Sequence, residues 1–292
     1  MSSDNPTAIG QAAHLQAAHL AEVEAWRAQR LAKLRSDEGW LVLSGLFFLE
    51  EGENRFGSAA DNAIEFPAHS APAHAGVFSL EAGRVTVVPA AETVLTLNGQ
   101  RIERQVLRSD DPGPADVCAL GDLRFFVLTR DGRLAIRLRD LRSPLRANFT
   151  GVPHFPVQAA YRVRATFVPH AADTRIKVTN QAGKVADTIS PGKVLFELGG
   201  KAMALDALLD DATSKRLTIM FRDATSGRET YGAGRFLYSE GLPTGGEVVL
   251  DFNKAYNPPC ALNPLVVCPL PPPQNRLEVR VEAGEKLPLE AH

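Results

Sequence analysis

The chain has 292 residues, 45% of them apolar and 23% charged, with a formal net charge of −2. That is the balance of a soluble globular protein long enough for two domains, and it leaves no electrostatic footprint for nucleic acid or an anionic membrane. No apolar run approaches the roughly 20 residues that a membrane helix needs. The opening MSSDNPTAIGQAAH lacks the basic start and apolar core of a secretory signal, so a cytoplasmic chain is expected.

Residues Asn5 to Arg35 read as one helix, with Leu20, Val23, Leu31 and Leu34 at helical spacing and Trp26 beside that stripe. His14 and His19 do not share a face and read as solvated positions, not as a metal pair. Gly39 ends the helix, and Trp40 to Leu49 follows as a buried apolar run. Residues 1–53 are therefore taken as a helix and a connecting strand.

From Asn54 the texture changes to short strands with turn punctuation, the pattern of an all-β sandwich or barrel. Val77–Leu80, Arg84–Val88, Val94–Leu97, Leu123–Thr129 and Leu134–Arg139 are the clearest strands, separated by Gly83, Asn98-Gly99, Pro112-Gly113-Pro114 and Asp131-Gly132. Arg133, Arg137, Arg139, Arg142 and Arg146 read as a solvated strand face, with an anion-binding edge as the minority alternative. Pro144, Gly151, Pro153 and Pro156 mark a connection, which divides a first β module at 54–143 from a second at 144–292.

The second module continues with Tyr161–Val168, Thr174–Thr179, Val194–Leu198, Leu217–Phe221 and Glu247–Phe252 as strands, and Ala204–Leu209 as one helical turn. It ends in an unusual segment, 251–276, with seven of the chain's 20 prolines, two of its three cysteines and four asparagines. Neither a helix nor a central strand survives that proline density. Phe252, Leu262, Leu265, Val266, Val267 and Leu270 supply apolar anchors, so an ordered loop held against a sheet is expected. Cys260 and Cys268 lack the four-ligand pattern of zinc. They read as packed thiols, a disulfide, or a catalytic or redox pair, and Cys118 reads as core.

Gly57, Ile64 to Phe66, His74 and Asn98-Gly99 fall in the order of the opening turns and strands of a forkhead-associated (FHA) domain, and GDLRFFVL at 121–128 resembles its closing strands. The resemblance covers about residues 54–140 and implies a β-sandwich. That family grips phosphothreonine through arginine and serine in these turns. Here Ser58 follows Gly57, and Ala71-Pro72 stands where Ser-Arg would be, so no phosphothreonine binding is expected. His74 is expected to be a buried structural histidine.

FRDATSGRETYGAGRFLY at 221–238, followed by LDFNKAYNPPCALNP, CPLPPPQNRL and EAGEK, resembles a bacterial and archaeal family known as domain of unknown function 1684. The helical start and GWLVLSGLFFLEEGENRFGS are also similar to it. That resemblance implies architecture and no activity. The expected fold is thus all-β with an amino-terminal helix: an FHA-like sandwich, then a second antiparallel β domain, sandwich or barrel.

The residues themselves suggest the chemistry. Tyr231, Gly232, Gly234 and Arg235 are placed on a strand returning from a turn around Asp223 and Gly227, where glycine leaves room for a backbone or ligand. Asp251 and Asn253 share a face by the period-two rule. A ligand-binding cluster of Tyr231, Arg235, Asp251, Asn253, Tyr256 and Asn257 is weighed against a structural network in which Arg235 pairs with Asp251. The leading functional reading is a non-catalytic binder of a small or peptide-like ligand. The alternatives are a hydrolase or transferase with Cys260 as nucleophile and His154 as the nearest candidate base, and an interaction protein presenting PLPPP at 269–273 as a polyproline surface. No metal and no cofactor are implied.

Overall fold

The structure, a computed structural model, describes residues 6–288, with the side chains of the opening helix from His14 onward. The helix runs Pro6–Arg35, and its expected start at Asn5 lies outside the described residues. Among the described residues no helix is long and apolar enough to cross a membrane. The chain is mostly β beyond that helix and divides into two units. One is Lys33–Phe149; the other takes the residues up to Ala32 together with those from Thr150.

The Lys33–Phe149 unit is a two-sheet sandwich. A six-stranded sheet has the order Leu43–Phe48, Arg133–Asp140, Leu123–Arg130, Cys118–Leu120, Thr96–Leu97, Gln100–Arg101. A five-stranded sheet has the order Ile64–Glu65, Gly52–Gly57, Gly76–Glu81, Arg84–Pro89, Gln105–Leu107. Alternate residues of both sheets meet in one core. Its centre is four phenylalanines, with Phe56 packed 4.5 Å from Phe78 and Phe125 edge-on to Phe78 at 5.6 Å between centroids. Such tilted and edge-on pairs match the ring quadrupoles. Asn98-Gly99 and Asp131-Gly132 turn with positive φ at both residues, which fits the twist of the strands they join.

Two expectations change here. His74 is not buried: its side chain is 57% exposed, with Nδ1 3.8 Å from Asp61. Arg137 is not on a solvated face: it lies buried in the middle of its sheet, between Leu46 and Phe126. Burial therefore lowers its pKa.

The second unit is built on a four-stranded sheet in the order Lys201–Ala207, Gly192–Leu198, Arg162–Pro169, Glu247–Asp251. Two hairpins, Arg175–Thr179 with Val185–Ile189 and Thr218–Phe221 with Arg235–Tyr238, complete it. Among the described residues no sheet closes into a barrel. The helical turn expected at Ala204–Leu209 is strand instead, because Leu205 and Ala207 alternate into the core beside Val194 and Phe196.

The proline-rich segment is ordered and lies along these strands. Leu270 donates to Thr179 at 2.8 Å, and Asn275 Nδ2 bridges the carbonyls of Asp206 and Met220, each at 2.9 Å. Phe252 and Leu262 are buried, as anchors should be. Leu265 and Val267 face solvent, more than half exposed, so the segment is held by its asparagines as much as by its apolar side chains. The helix docks on the same unit through Arg27, which donates to the Phe155 carbonyl at 2.9 Å, and through Trp26, 6.4 Å from the Tyr256 ring.

Candidate functional site

Arg235 opens the strand that pairs with Thr218–Phe221, opposite Phe221. Tyr231–Gly234 is a turn before it, not part of the strand. The Arg235 side chain is fully buried, and its acceptors come from three directions: the carbonyls of Ala283, Val281 (2.9 Å) and Glu285 (3.3 Å), and Asp223 Oδ1 at 3.4 Å. Its expected partner Asp251 is elsewhere. Asp223 is equally enclosed and also accepts from Thr225 Oγ1 and the Val281 amide, each at 2.8 Å. The terminal nitrogens of Arg235 are satisfied in this way, as a buried ion pair requires, while its Nε is buried without a hydrogen-bond partner. The space beside Gly234 is taken too: a Cβ there would lie 2.6 Å from the Phe221 carbonyl oxygen and 2.7 Å from Pro271.

Asp251 and Asn253 do meet. Asp251 caps the short turn Phe252–Lys254 by accepting from the Asn253 amide at 3.1 Å and from Nδ2 at 2.8 Å. Asn253 then clasps residue 158, accepting from the Gln158 amide at 3.0 Å and donating to its carbonyl at 2.9 Å. The second Asp251 oxygen faces His19 of the helix at 2.8 Å, so His19 is a partner of this corner and not a solvated residue. Asn257 donates through its amide to Glu285 at 2.7 Å and through Nδ2 to the Lys286 carbonyl at 2.8 Å. Tyr256 lies under Arg30, 4.5 Å above its ring, and beside Tyr238. Burial pushes its hydroxyl pKa up. Four of the six sequence-derived site residues, Arg235, Asp251, Asn253 and Asn257, thus have less than 2% of their surface exposed.

Tyr231 stands apart from these and joins a different constellation. Cys260 lies on the short turn Pro259–Ala261, and its amide donates to Cys268 Sγ at 3.3 Å. Cys268 is clamped by Gln181, which donates its amide to the Cys268 carbonyl at 3.1 Å and accepts the Cys268 amide on Oε1 at 3.3 Å. Gln181 Nε2 reaches on to the Tyr231 hydroxyl at 3.2 Å. The thiol of Cys260 hydrogen-bonds to Cys268, Tyr231 and Gln181. Both cysteines are free thiols, Cys260 half-buried and Cys268 buried.

These bonds set the electrostatics of the pair. The Cys268 hydrogen bond, helped by Tyr231 and Gln181 and opposed by burial, lowers Cys260 to about 7. Cys268 is pushed up, first by its hydrogen bond to Cys260 and then by burial. Burial likewise raises Tyr231, so the phenol keeps its proton and donates it. The result is one acidic sulfur surrounded by donors. Cys118, fully buried in the other unit and pushed up to about 12, has no such character.

His154 is not among the groups that act on the Cys260 thiol. It pairs along the backbone with Glu285, near Arg27, and burial lowers its pKa. Among the described residues no group of three His, Cys, Asp or Glu side chains is arranged to hold a metal ion. An open apolar groove of about 520 Å³ runs between Phe167, Pro191, Leu209 and Leu242, without polar groups converging on it. Reading the sequence flagged Cys260, Cys268 and Tyr231 but missed Gln181. Cys268 carried a signal in its spacing within an ordered segment; Gln181 sits in a plain turn, NQAGK, and carried none.

The second unit is thus a β domain with an ordered covering segment and a dithiol set in it. Residues 147–286 match the family described as protein of unknown function (DUF1684), and the chain belongs to that family. It is 35% identical to the uncharacterized protein from gene locus rrnAC0354 of Haloarcula marismortui, over 48% of this chain and 78% of that one, with a TM-score of 0.41. Solved FHA domains also align. One comes from a study of phosphothreonine-dependent FHA domain interactions (18% identity, 31% of this chain and 79% of that one, TM-score 0.23). Another is the FHA-2 domain of the Mycobacterium tuberculosis ABC transporter Rv1747 (27% identity, 30% and 77%, TM-score 0.23). No curated protein matches the chain.

Proposed function

We propose that the carboxy-terminal unit acts through Cys260 as a nucleophilic thiolate in thiol–disulfide exchange with low-molecular-mass disulfides. The single observation that carries this is the convergence of Cys268, Tyr231 and Gln181 on one sulfur. A nucleophilic thiol must be largely thiolate near neutral pH, and hydrogen-bond donors are one way to reach that state. The reaction class follows from what the neighbours are. Acyl transfer by a hydrolase needs a base that accepts a proton and later returns it to the leaving group. The groups around Cys260 donate, and His154 is not among the groups that act on its thiol. Disulfide exchange needs only the thiolate. In a reducing compartment such a pair rests in the dithiol form.

An enclosed ligand site built on Tyr231, Arg235, Asp251, Asn253, Tyr256 and Asn257 has less support, since four of these side chains are directed to internal partners.

The test is the pH profile of alkylation at Cys260 in the intact protein, read by peptide mass. Half-maximal reactivity near pH 7 is expected, against about 8.5 for an ordinary thiol. Tyr231→Phe removes one donor and moves the midpoint upward. A wild-type midpoint at the ordinary value overturns the proposal.

A further inference from the structure

We infer that Cys268 is the resolving thiol of this site: once Cys260 carries a mixed disulfide, Cys268 attacks it and closes an internal Cys260–Cys268 disulfide. This rests on the reading of Cys260 as the first nucleophile.

Position supports it first. The Cys260 amide already touches Cys268 Sγ at 3.3 Å, and the two thiols are hydrogen-bonded to each other. Gln181 holds the Cys268 backbone by two hydrogen bonds, so this sulfur stays beside its partner while the Cys260 turn adjusts.

The order of events follows from the electrostatics. In the reduced pair Cys268 keeps its proton because it donates to Cys260 and faces that sulfur's negative charge. A mixed disulfide on Cys260 has no charge and is a poor acceptor, so both effects vanish. What remains is burial, which still raises the thiol, and against it the Cys260 amide, a donor that favours the Cys268 thiolate. Capping the first sulfur therefore removes the strongest hold on the proton of the second. Resolution cannot precede attack, and the pair runs in one direction when an oxidant is present.

The balance is simple. The Cys260 thiolate attacks one sulfur of an external disulfide, forming a mixed disulfide and expelling one thiolate. The Cys268 thiolate then attacks the Cys260 sulfur, forming the internal disulfide and expelling the second. Two protein thiols are oxidised by two electrons, the external disulfide is reduced to two thiols, and the two cysteine protons pass to the leaving sulfurs through water.

The experiment exposes the full-length protein to oxidised glutathione and reads free thiols and adducts by intact mass and peptide mapping. Wild type is expected to lose two of its three thiols without accumulating glutathione, Cys118 remaining free. Cys268→Ser is expected to accumulate one glutathione on Cys260, and Cys260→Ser to form neither product. If wild type accumulates a stable adduct with Cys268 still free, or if Cys268→Ser gives no more adduct than wild type while Cys260 reacts, the resolving role is wrong and the Cys260 proposal stands. If Cys260 forms no product in wild type or in Cys268→Ser, both fall.

Discussion

His19 Nε2 lies 2.8 Å from Oδ2 of Asp251, a contact that joins residues 232 positions apart. Asp251 is almost wholly buried, and its other oxygen caps the Phe252–Lys254 turn, so the helix and the start of the proline-rich segment share one carboxylate. His19→Ala leaves that carboxylate one donor short, with Lys254 Nζ 3.7 Å away as the nearest remaining cation. A loss of about 1–3 kcal/mol is expected from a buried group left partly unsatisfied. Urea unfolding of the variant measures it, and an unchanged midpoint would contradict this assignment.

Arg235→Met should be the most damaging single change in the second unit. It leaves Asp223 enclosed without its counter-ion and three carbonyls without a donor. Breaking a buried pair by removing one partner costs roughly 3–5 kcal/mol. Arg235→Met with Asp223→Asn is expected to recover part of that loss in thermal unfolding. A folded, fully stable Arg235→Met protein would mean that the guanidinium serves something other than the fold.

Acid should weaken the same unit through His154. Burial, with the Arg27 charge, holds this imidazole below its ordinary value of 6.5. The unfolded chain therefore takes up a proton that the folded chain resists. The contribution is complete above the unfolded value and is lost as pH falls below it towards the folded one. His154→Leu removes the titration, so its stability should vary less with pH across that window than wild type. Denaturant midpoints from pH 7.5 to 5, each a condition about half a unit apart, read the difference.

How far the sequence foretold this varies by residue. Alternation placed Leu123–Arg130 and Arg133–Asp140 within one residue at each end, because each strand has one face in a core of fixed period. The strand at Val185–Ile189 was missed, since its hairpin is exposed and has no buried stripe to announce it. Arg235 was recognised as notable and given the wrong partner: Asp223 and Asp251 are both acidic residues near strand ends, and only the tertiary path of Val281–Glu285 decides between them. The dithiol was visible as spacing. Its acidity was not, because that depends on Gln181 and Tyr231, brought from two other loops.

Gly234→Ala tests how closely the proline-rich segment is fitted. At φ of +101°, and with Pro271 and the Phe221 carbonyl closer than 3 Å to a new Cβ, alanine is strained in backbone and side chain alike. A cost of about 1–3 kcal/mol is expected, together with faster tryptic cleavage after Arg276. Wild-type resistance to protease in this variant would show the fit to be loose.

The unit that holds the dithiol is discontinuous in sequence: its helix is made before the sandwich of Lys33–Phe149, and the rest of it after. During synthesis the nascent helix therefore precedes Asp251 and Glu285, its docking sites, by more than two hundred residues. At ~5–20 residues per second that is a delay of roughly ten to fifty seconds. The sandwich has time to form first, and the later strands of the unit must recruit a helix made long before them.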